Sequence, residues 1–478
     1  SKDNINMRGF DAQGSIYKDG IRDLANSSKD TFNTEAVEVT KGAVGADNGR
    51  GVSSGYINQV TKSATNKDEV AGTVGYSTAE NARLTADLNK KLNETTGVRL
   101  NVMKQNGEVA GRDEVEIDRT GIAGSVAFGI GTATRTTINY EHTEQDDVPD
   151  GGIPTVGLEG SAQKADTSKF YGSVNDFEEA KTDAFTLKFE QDVSDNTIFT
   201  NTARYAKTTQ EMLLTSPSNF STATNTVTRS MHARWQENEI LTNQSNFTTE
   251  IQTGMLLHKI SIGIELTKEN QLTKNYTAQT AQTSNLYNPT NISWDDLTFS
   301  GQKSDGETTT VGAYLFDSIN IGEKVIFTGG GRFDKYDTTN DIISSTLVPS
   351  TIEDKGHLNS YKAGLVYKPV DNGSVYISRA TTQLPPGGAN FTLSATTTNA
   401  NNPDMEPQKS TTDEVGTKWD LLDNKLSLTT ALYKTVVENE TMTESDGSTS
   451  QNGEKEVKGI EIGAVGEITD KWSVSTGF

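Results

Sequence analysis

The 478 residues carry 43 basic against 65 acidic side chains, a formal net charge of −22, and no cysteine. That balance argues against nucleic acid, whose phosphates want a surplus of Lys and Arg, and it removes disulfides, cysteine zinc sites and a thiol nucleophile together. Hydrophobic residues are only 32% and no run approaches the ~20 apolar residues of a spanning helix, yet the residues alternate in order and are not low-complexity, which excludes general disorder.

In chain order, Ser1 to Lys62 reads as short strands broken by glycine-rich turns: Ile5 to Phe10, Ile16 to Lys18, Val37 to Thr40 and Tyr56 to Thr61. The chain opens without an initiator Met or an apolar export segment, as expected of a mature chain or of one whose first part lies upstream. Gly49-Arg50-Gly51-Val52-Ser53-Ser54-Gly55 falls short of a dinucleotide fingerprint, because its third glycine comes one place late and a strand follows in place of a helix. From about Asp68 onward the period is two. Phe185, Leu187 and Phe189 alternate with Thr186, Lys188 and Glu190; Ile260, Ile262, Ile264 and Leu266 alternate with polar residues; so do Leu426, Leu428 and Leu432. A helix has period 3.6 and cannot give these faces.

The connections alternate in length. Tight turns are expected at Asn93 to Gly97, Gly131 to Thr134, Ser194 to Asn196, Gln252 to Gly254, Gly322 to Lys324, Asp371 to Gly373, Asp423 to Lys425 and Thr469 to Lys471. Between them lie mostly longer stretches: Gln145 to Lys181, Leu214 to Thr226, Leu272 to Thr308, Thr338 to Gly356, Thr382 to Ser410 and Asn439 to Lys455. Small turns on one side and large loops on the other are the pattern of a transmembrane β-barrel, with a lipid face and a wet lumen. About seventeen strands are expected by this pattern. The odd count leaves Trp472 to Phe478 without a following partner, so the barrel is expected to continue past Phe478. Tyr76, Phe128, Tyr140, Phe199, Tyr314, Phe316, Tyr367, Tyr376, Trp419 and Trp472 are expected in interfacial girdles.

Several blocks in the first segment occur together. Met7-Arg8-Gly9-Phe10, Tyr17-Lys18-Asp19-Gly20-Ile21-Arg22-Asp23, Val37-Glu38-Val39-Thr40-Lys41-Gly42, Gly49-Arg50-Gly51 and Gly55 to Lys62 resemble, in order and spacing, the plug domain of TonB-dependent receptors. Glu414-Val415-Gly416-Thr417-Lys418-Trp419, Lys458-Gly459-Ile460-Glu461 and Gln252-Thr253-Gly254 resemble barrel motifs of that family. Asp30-Thr31-Phe32-Asn33 and the loop Asp147 to Pro154 look most like its catecholate-siderophore receptors, the Fiu and PiuA group. The resemblance implies an N-terminal plug over residues 1–66 and a barrel over 67–478, drawn from an all-β, 22-stranded antiparallel barrel of which about five strands would be missing. It implies a receptor, not an enzyme, in the outer membrane of a Gram-negative bacterium. A ferric siderophore, catecholate by resemblance or otherwise a hydroxamate or other chelator, would be imported with energy from TonB. The family's TonB box lies upstream of the plug and is not in this sequence. Outer-membrane lipid and lipopolysaccharide would surround a monomer. A passive porin or adhesin barrel is the rival, and it has no need of a plug.

A ferric catecholate is a bulky aromatic anion and needs cations and aromatic surface. Arg22 and Lys29 are the expected ligand contacts, with Arg50, and Gln13, Asn26 and Asn48 are the expected hydrogen-bond partners at the plug apices. Gln383 to Phe391, with Pro385-Pro386-Gly387-Gly388, would wall the site. By resemblance Glu414 and Glu461 face the lumen and anchor the plug, with Lys41 or Arg8 as partner. The four histidines, His142, His232, His258 and His357, show no ligand spacing, so iron would be held by its chelator with no protein metal site or bound cofactor. Asp146-Asp147 reads as solvated loop charge in place of a catalytic pair.

Overall fold

The computed structural model describes residues 5–11, 13–24, 28, 30–42, 45–49, 55–156, 164–388, 392–396, 399, 401–443, 449–469 and 471–478. Its first unit begins with a small hairpin, β1 (Asn6–Met7) and β2 (Phe10–Asp11), turned by Arg8-Gly9. Both turn residues have positive φ, 49° and 80°, as a two-residue type I′ turn requires. The single strand expected over Ile5 to Phe10 is therefore folded back on itself, with Arg8 at the tip. A 3-10 turn (Gln13–Ser15) leads into β3 (Ile16–Lys18) and β4 (Ile21–Arg22). After β5 (Thr34–Lys41), a short helix α1 (Gly45–Asn48) and β6 (Gly55–Thr61) complete a four-stranded sheet ordered β4-β3-β6-β5. The Asp19-Gly20 turn is tied into it: the Asp19 carboxylate accepts from the backbone N and the hydroxyl of Thr61, both at 2.8 Å.

The long strands follow in order: β7 (Glu69–Tyr76), β8 (Ala82–Asn93), β9 (Thr96–Glu108), β10 (Glu116–Phe128), β11 (Thr134–Asp147), β12 (Phe177–Ser194), β13 (Thr197–Ser221), β14 (Thr226–Thr253) and β15 (Leu256–Tyr276). A short β16 (Gln282–Asn285) pairs with β14 beyond the end of β15. Then come β17 (Phe299–Ile321), β18 (Val325–Ile343), β19 (Pro349–Val370), β20 (Gly373–Leu384), β21 (Gln408–Leu421), β22 (Leu426–Thr443), β23 (Thr449–Thr469) and β24 (Trp472–Gly477). All pair antiparallel with their neighbours, and the sheet curves into a barrel around the first unit. Leaving β16 aside, seventeen strands run between the two rims among the described residues, the number expected. β7 registers with β8 and β24 with β23; every residue of β7 is exposed, Val70 and Val74 at 82% and 83%.

This barrel is inside out by the standards of a water-soluble domain. Leu241, Ile264, Leu315, Ile377 and Leu432 are exposed on its outer face, while Thr208, Asn238, Thr242, Arg332, Asp334 and Thr412 are buried facing inward. A belt of exposed large apolar side chains would cost far too much in water and is at home in lipid. Backbone groups in that belt are satisfied strand to strand, which hydrocarbon demands.

Two expectations change. Leu214 to Thr226 and Thr338 to Gly356 are mostly strand, with connections at 222–225 and 344–348, and the described residues of Asn439 to Lys455 are strand as well. The strands climb past the apolar belt, where neither face meets lipid, so polarity there resembles a loop although the backbone ladder persists. Tyr314, Phe316 and Tyr376 belong to no girdle: Arg332, Lys362 and Glu414, all inward-facing, contact their rings or hydroxyl.

Candidate functional site: the plug and the wall that holds it

The β1–β2 hairpin presents Arg8 to β21 and β23. Its Nη2 donates to Glu414 Oε2 at 2.8 Å and Glu461 Oε2 at 3.0 Å, and its Nε to Glu461 Oε1 at 3.2 Å. The guanidinium lies 3.9 Å over the Tyr433 ring, Tyr376 donates its hydroxyl to Glu414 Oε1 at 2.7 Å, and Lys41 Nζ sits 3.1 Å from Glu461. Two cations thus balance two carboxylates. Burial acts to lower the Arg8 pKa, but the hydrogen bonds to Glu461 and Glu414 hold it above its ordinary value. Two features oppose this grip. Arg8 pays for a left-handed backbone with about 1–2 kcal/mol, and its buried Nη1 has no hydrogen-bond partner among the described residues, an omission that costs roughly 1–3 kcal/mol.

A second stretch of wall receives β4 and α1. Arg22 is 8% exposed, with Nε 3.9 Å from Glu269 on β15. Beside it Tyr17, Gly49, Glu265, Arg332 and Asp334 line a small polar cavity. Arg332 is held by Asp334 at 2.7 Å and Glu265 at 3.3 Å, and Gly49 packs flat on its guanidinium, where a Cβ would come within 3.0 Å. Burial pushes the Tyr17 phenol up, against the pull of Arg22. Asp47 on α1 pairs with Lys362 on β19.

Asp30, Phe32 and Asn33 also meet the wall. Asp30 takes both forks of Arg83 at 2.8 Å; burial acts to raise its pKa, but the Arg83 hydrogen bonds hold it below the ordinary carboxylate value. Phe32 packs with Met103 and Ala123 over Gly121. Asn33 donates to Glu141 at 2.6 Å, and Lys18 pairs with the same carboxylate.

Above these contacts the lumen widens toward the long-loop rim. Ile240, Thr242, Glu265, Thr267 and Glu269 face the plug, so the two-residue period carries Arg234, Gln236 and Asn238 onto the same face of β14. Glu178, Met212, Arg234 and Asn275 are register partners in one row across β12 to β15. They line, with Leu214 and His232, a cavity of about 640 Å³. Gln210 donates to Glu178 at 2.7 Å and accepts a long 3.4 Å bond from Nη2 of Arg234, whose Nε has no hydrogen-bond partner among the described residues. The rim loops are folded as a cap. Val156, Tyr171, Val227 and Leu286 form a core; Tyr171 donates to the Leu286 carbonyl at 2.5 Å and Trp294 Nε1 to Thr215 at 2.7 Å. Fully buried Arg229 donates to the Gly172 and Thr290 carbonyls at 3.2 and 2.7 Å.

The expected anchoring residues Glu414, Glu461, Arg8 and Lys41 are brought into one cluster, with both proposed cations engaged. Arg22 lies against the wall beside Glu269. Lys29, Asn26 and Arg50, and the side chains of Gln13 and Asn48, lie outside the described residues. Phe391 does too, while Pro385 to Gly388 form a turn closed by a 3.0 Å bond from Gly388 N to the Pro385 carbonyl. Sequence reading missed the Tyr433 and Tyr376 braces, the Arg332 cluster and the Arg234 row. Strand register and the seating of the plug reveal them: Asp334 is two residues from Arg332, but Glu265, Glu414, Glu178 and the plug residues lie far from their partners in sequence. Among the described residues no group of three or more His, Cys, Asp or Glu could hold a metal ion.

Residues 121–478 match the family model for the TonB dependent receptor-like β-barrel. The catecholate siderophore receptor Fiu of Escherichia coli (strain K12) is 41% identical over 519 residues, covering 100% of this chain and 68% of that protein. A crystal structure of the closed form of Fiu, the ferric-catecholate import receptor, superposes with a TM-score of 0.95 at 40% identity, over 100% of this chain and 73% of that one. The siderophore receptor PiuA of Acinetobacter baumannii gives 0.93 at 32%, over 100% and 72%. At 20% identity the ferripyoverdine receptor of the outer membrane of Pseudomonas aeruginosa shares the fold, with a TM-score of 0.84. The chain belongs to the TonB-dependent receptor family of outer-membrane β-barrels.

Proposed function

We propose that this receptor imports a ferric siderophore of the catecholate type, captured on the long-loop side of the plug and admitted when TonB pulls the plug from the wall. The observation that carries this reading is the grip of Glu414 and Glu461 on Arg8. A diffusion pore has no use for a folded unit pinned in its lumen by buried charge. Similarity to the catecholate receptor Fiu supplies the ligand class. One part of the wall and several plug residues are assigned to it. The Arg234 row is the proposed face for an anionic aromatic chelate, with a guanidinium for its charge and Met212 and Leu214 for its rings. Lys29, Asn26, Arg50, Gln13 and Asn48 remain proposed plug contacts on sequence grounds. The apolar belt would face outer-membrane lipid and lipopolysaccharide, with the protein a monomer. Growth of an iron-starved, receptor-deficient strain carrying this gene tests the reading. Ferric catecholates should restore growth in a TonB-dependent way; restoration by ferric hydroxamates alone would overturn it.

A further inference from the structure

The two barrel motifs pair each anchoring carboxylate with a glycine two residues away on the same face: Glu414 with Gly416 on β21, and Glu461 with Gly459 on β23. Register explains the spacing. Gly416 lies directly opposite Tyr376 and Gly459 directly opposite Tyr433. A Cβ on Gly416 would stand 2.4 Å from Cζ and Oη of Tyr376; one on Gly459 would stand 2.4 Å from Oη and 2.5 Å from Cζ of Tyr433. Each tyrosine therefore lies down across the neighbouring strand in a notch that any side chain would fill. Lying flat, Tyr376 reaches Glu414 and Tyr433 forms the surface 3.9 Å beneath Arg8.

From this juxtaposition we propose that Gly416 and Gly459 are positioning residues of the plug latch: they lay Tyr376 and Tyr433 flat so that Glu414 and the Arg8 guanidinium are held in register. The same device appears at Gly263 with Tyr314, whose ring lies 5.6 Å from the Arg332 guanidinium that Gly49 packs against. The Arg8 and Arg332 clusters thus each rest on a glycine, a tyrosine and an arginine in succession. Gly356 opposite Tyr336 repeats the arrangement on β18 and β19, where the tyrosine donates to Asp354 at 3.0 Å and not to the Arg8 cluster, so it serves as the internal control.

The proposal rests on the latch reading of Arg8, and the test separates the two. The chain has no cysteine, so Ala46→Cys, at a position fully buried on α1, gives a single thiol that maleimide reaches only when the plug leaves the wall. Labelling is followed in the purified receptor under mild urea, with heat-modifiable gel migration as the check on the barrel. Losing the ring beneath a buried guanidinium should speed labelling roughly five- to tenfold. Gly459→Ala and Tyr433→Leu should each do so, Tyr433→Phe should not, and Gly356→Ala should leave the rate unchanged. The double variant Gly459→Ala with Tyr433→Leu should be no faster than either single one, because both remove the same contact. Additive effects, or equal effects of Gly459→Ala and Gly356→Ala, would overturn the proposal. Should Gly459→Ala fail to assemble, Tyr433→Leu decides alone, and an unchanged rate there refutes it. If Arg8→Ala itself leaves labelling unchanged, the latch reading fails; if Arg8→Ala accelerates it and the glycine and tyrosine variants do not, only the positioning role fails.

Discussion

Replacing Arg8 by alanine removes three hydrogen bonds to Glu414 and Glu461 and the contact with Tyr433 together. Breaking a buried ion pair by deleting one partner costs about 3–5 kcal/mol. Here the carboxylates are 16% and 24% exposed and Lys41 stays beside Glu461, so water and a second cation recover part of that. A loss of about 2–3 kcal/mol remains, which corresponds to roughly a 30- to 150-fold rise in the population of released plug. The assay is maleimide labelling of Ala46→Cys under mild urea. Arg8→Ala should raise the rate by that factor while the barrel still migrates as folded. Alanine leaves the turn residue at positive φ, so no relief of backbone strain confuses the result. A change of less than about threefold would show that the charge cluster does not hold the plug, and the energetic argument would fail.

Asp30 sets a pH dependence at the other side of the plug. Its folded pKa lies below its ordinary value of 3.8 because Arg83 holds the ionised form. Its contribution is therefore fully present above the ordinary value and lost as pH falls through the folded one; hydrogen exchange at Thr31 to Asn33 should rise only under strong acid, and Asp30→Asn should abolish that rise. Arg234→Ala should weaken ferric-catecholate binding by about tenfold or more, read by intrinsic fluorescence quenching, with plug labelling unchanged; unchanged affinity would move the ligand off this wall. An epitope inserted at 344–348 should be reached by antibody on intact cells and one at 371–372 should not; the reverse labelling would invert the barrel.

The barrel was legible because alternation and the parity of its turns are local properties. Ile262 and Ile264 announce an outward face without knowledge of any partner, and Gly254 announces its turn. The rim was not legible in the same way. In β13, Thr215 to Ser221 has no apolar face because no lipid meets it, and only pairing with β14 shows it to be strand. The site divided similarly. Glu414, Glu461, Arg8 and Lys41 were recognisable through motif resemblance, and the structure places them together. The sequence offers Arg22 as a ligand contact, and nothing local in it reveals Glu269, which lies far along the chain on β15. Asp30, Phe32 and Asn33 stood out as a family signature, whereas their contacts with Arg83, Met103 and Glu141 depend on how the plug is seated.

The central claim is that the plug must leave its seat for the siderophore to pass. An ideal Cβ on Gly9 would lie 3.9 Å from a Val457 methyl, so Gly9→Cys with Val457→Cys gives a cross-link between plug and wall in a chain otherwise free of cysteine. Uptake of iron-labelled ferric catecholate is then measured in energised cells, oxidised and after reduction. Surface binding should persist in both states, with uptake lost on oxidation and restored on reduction; undiminished uptake by the cross-linked receptor would contradict the account.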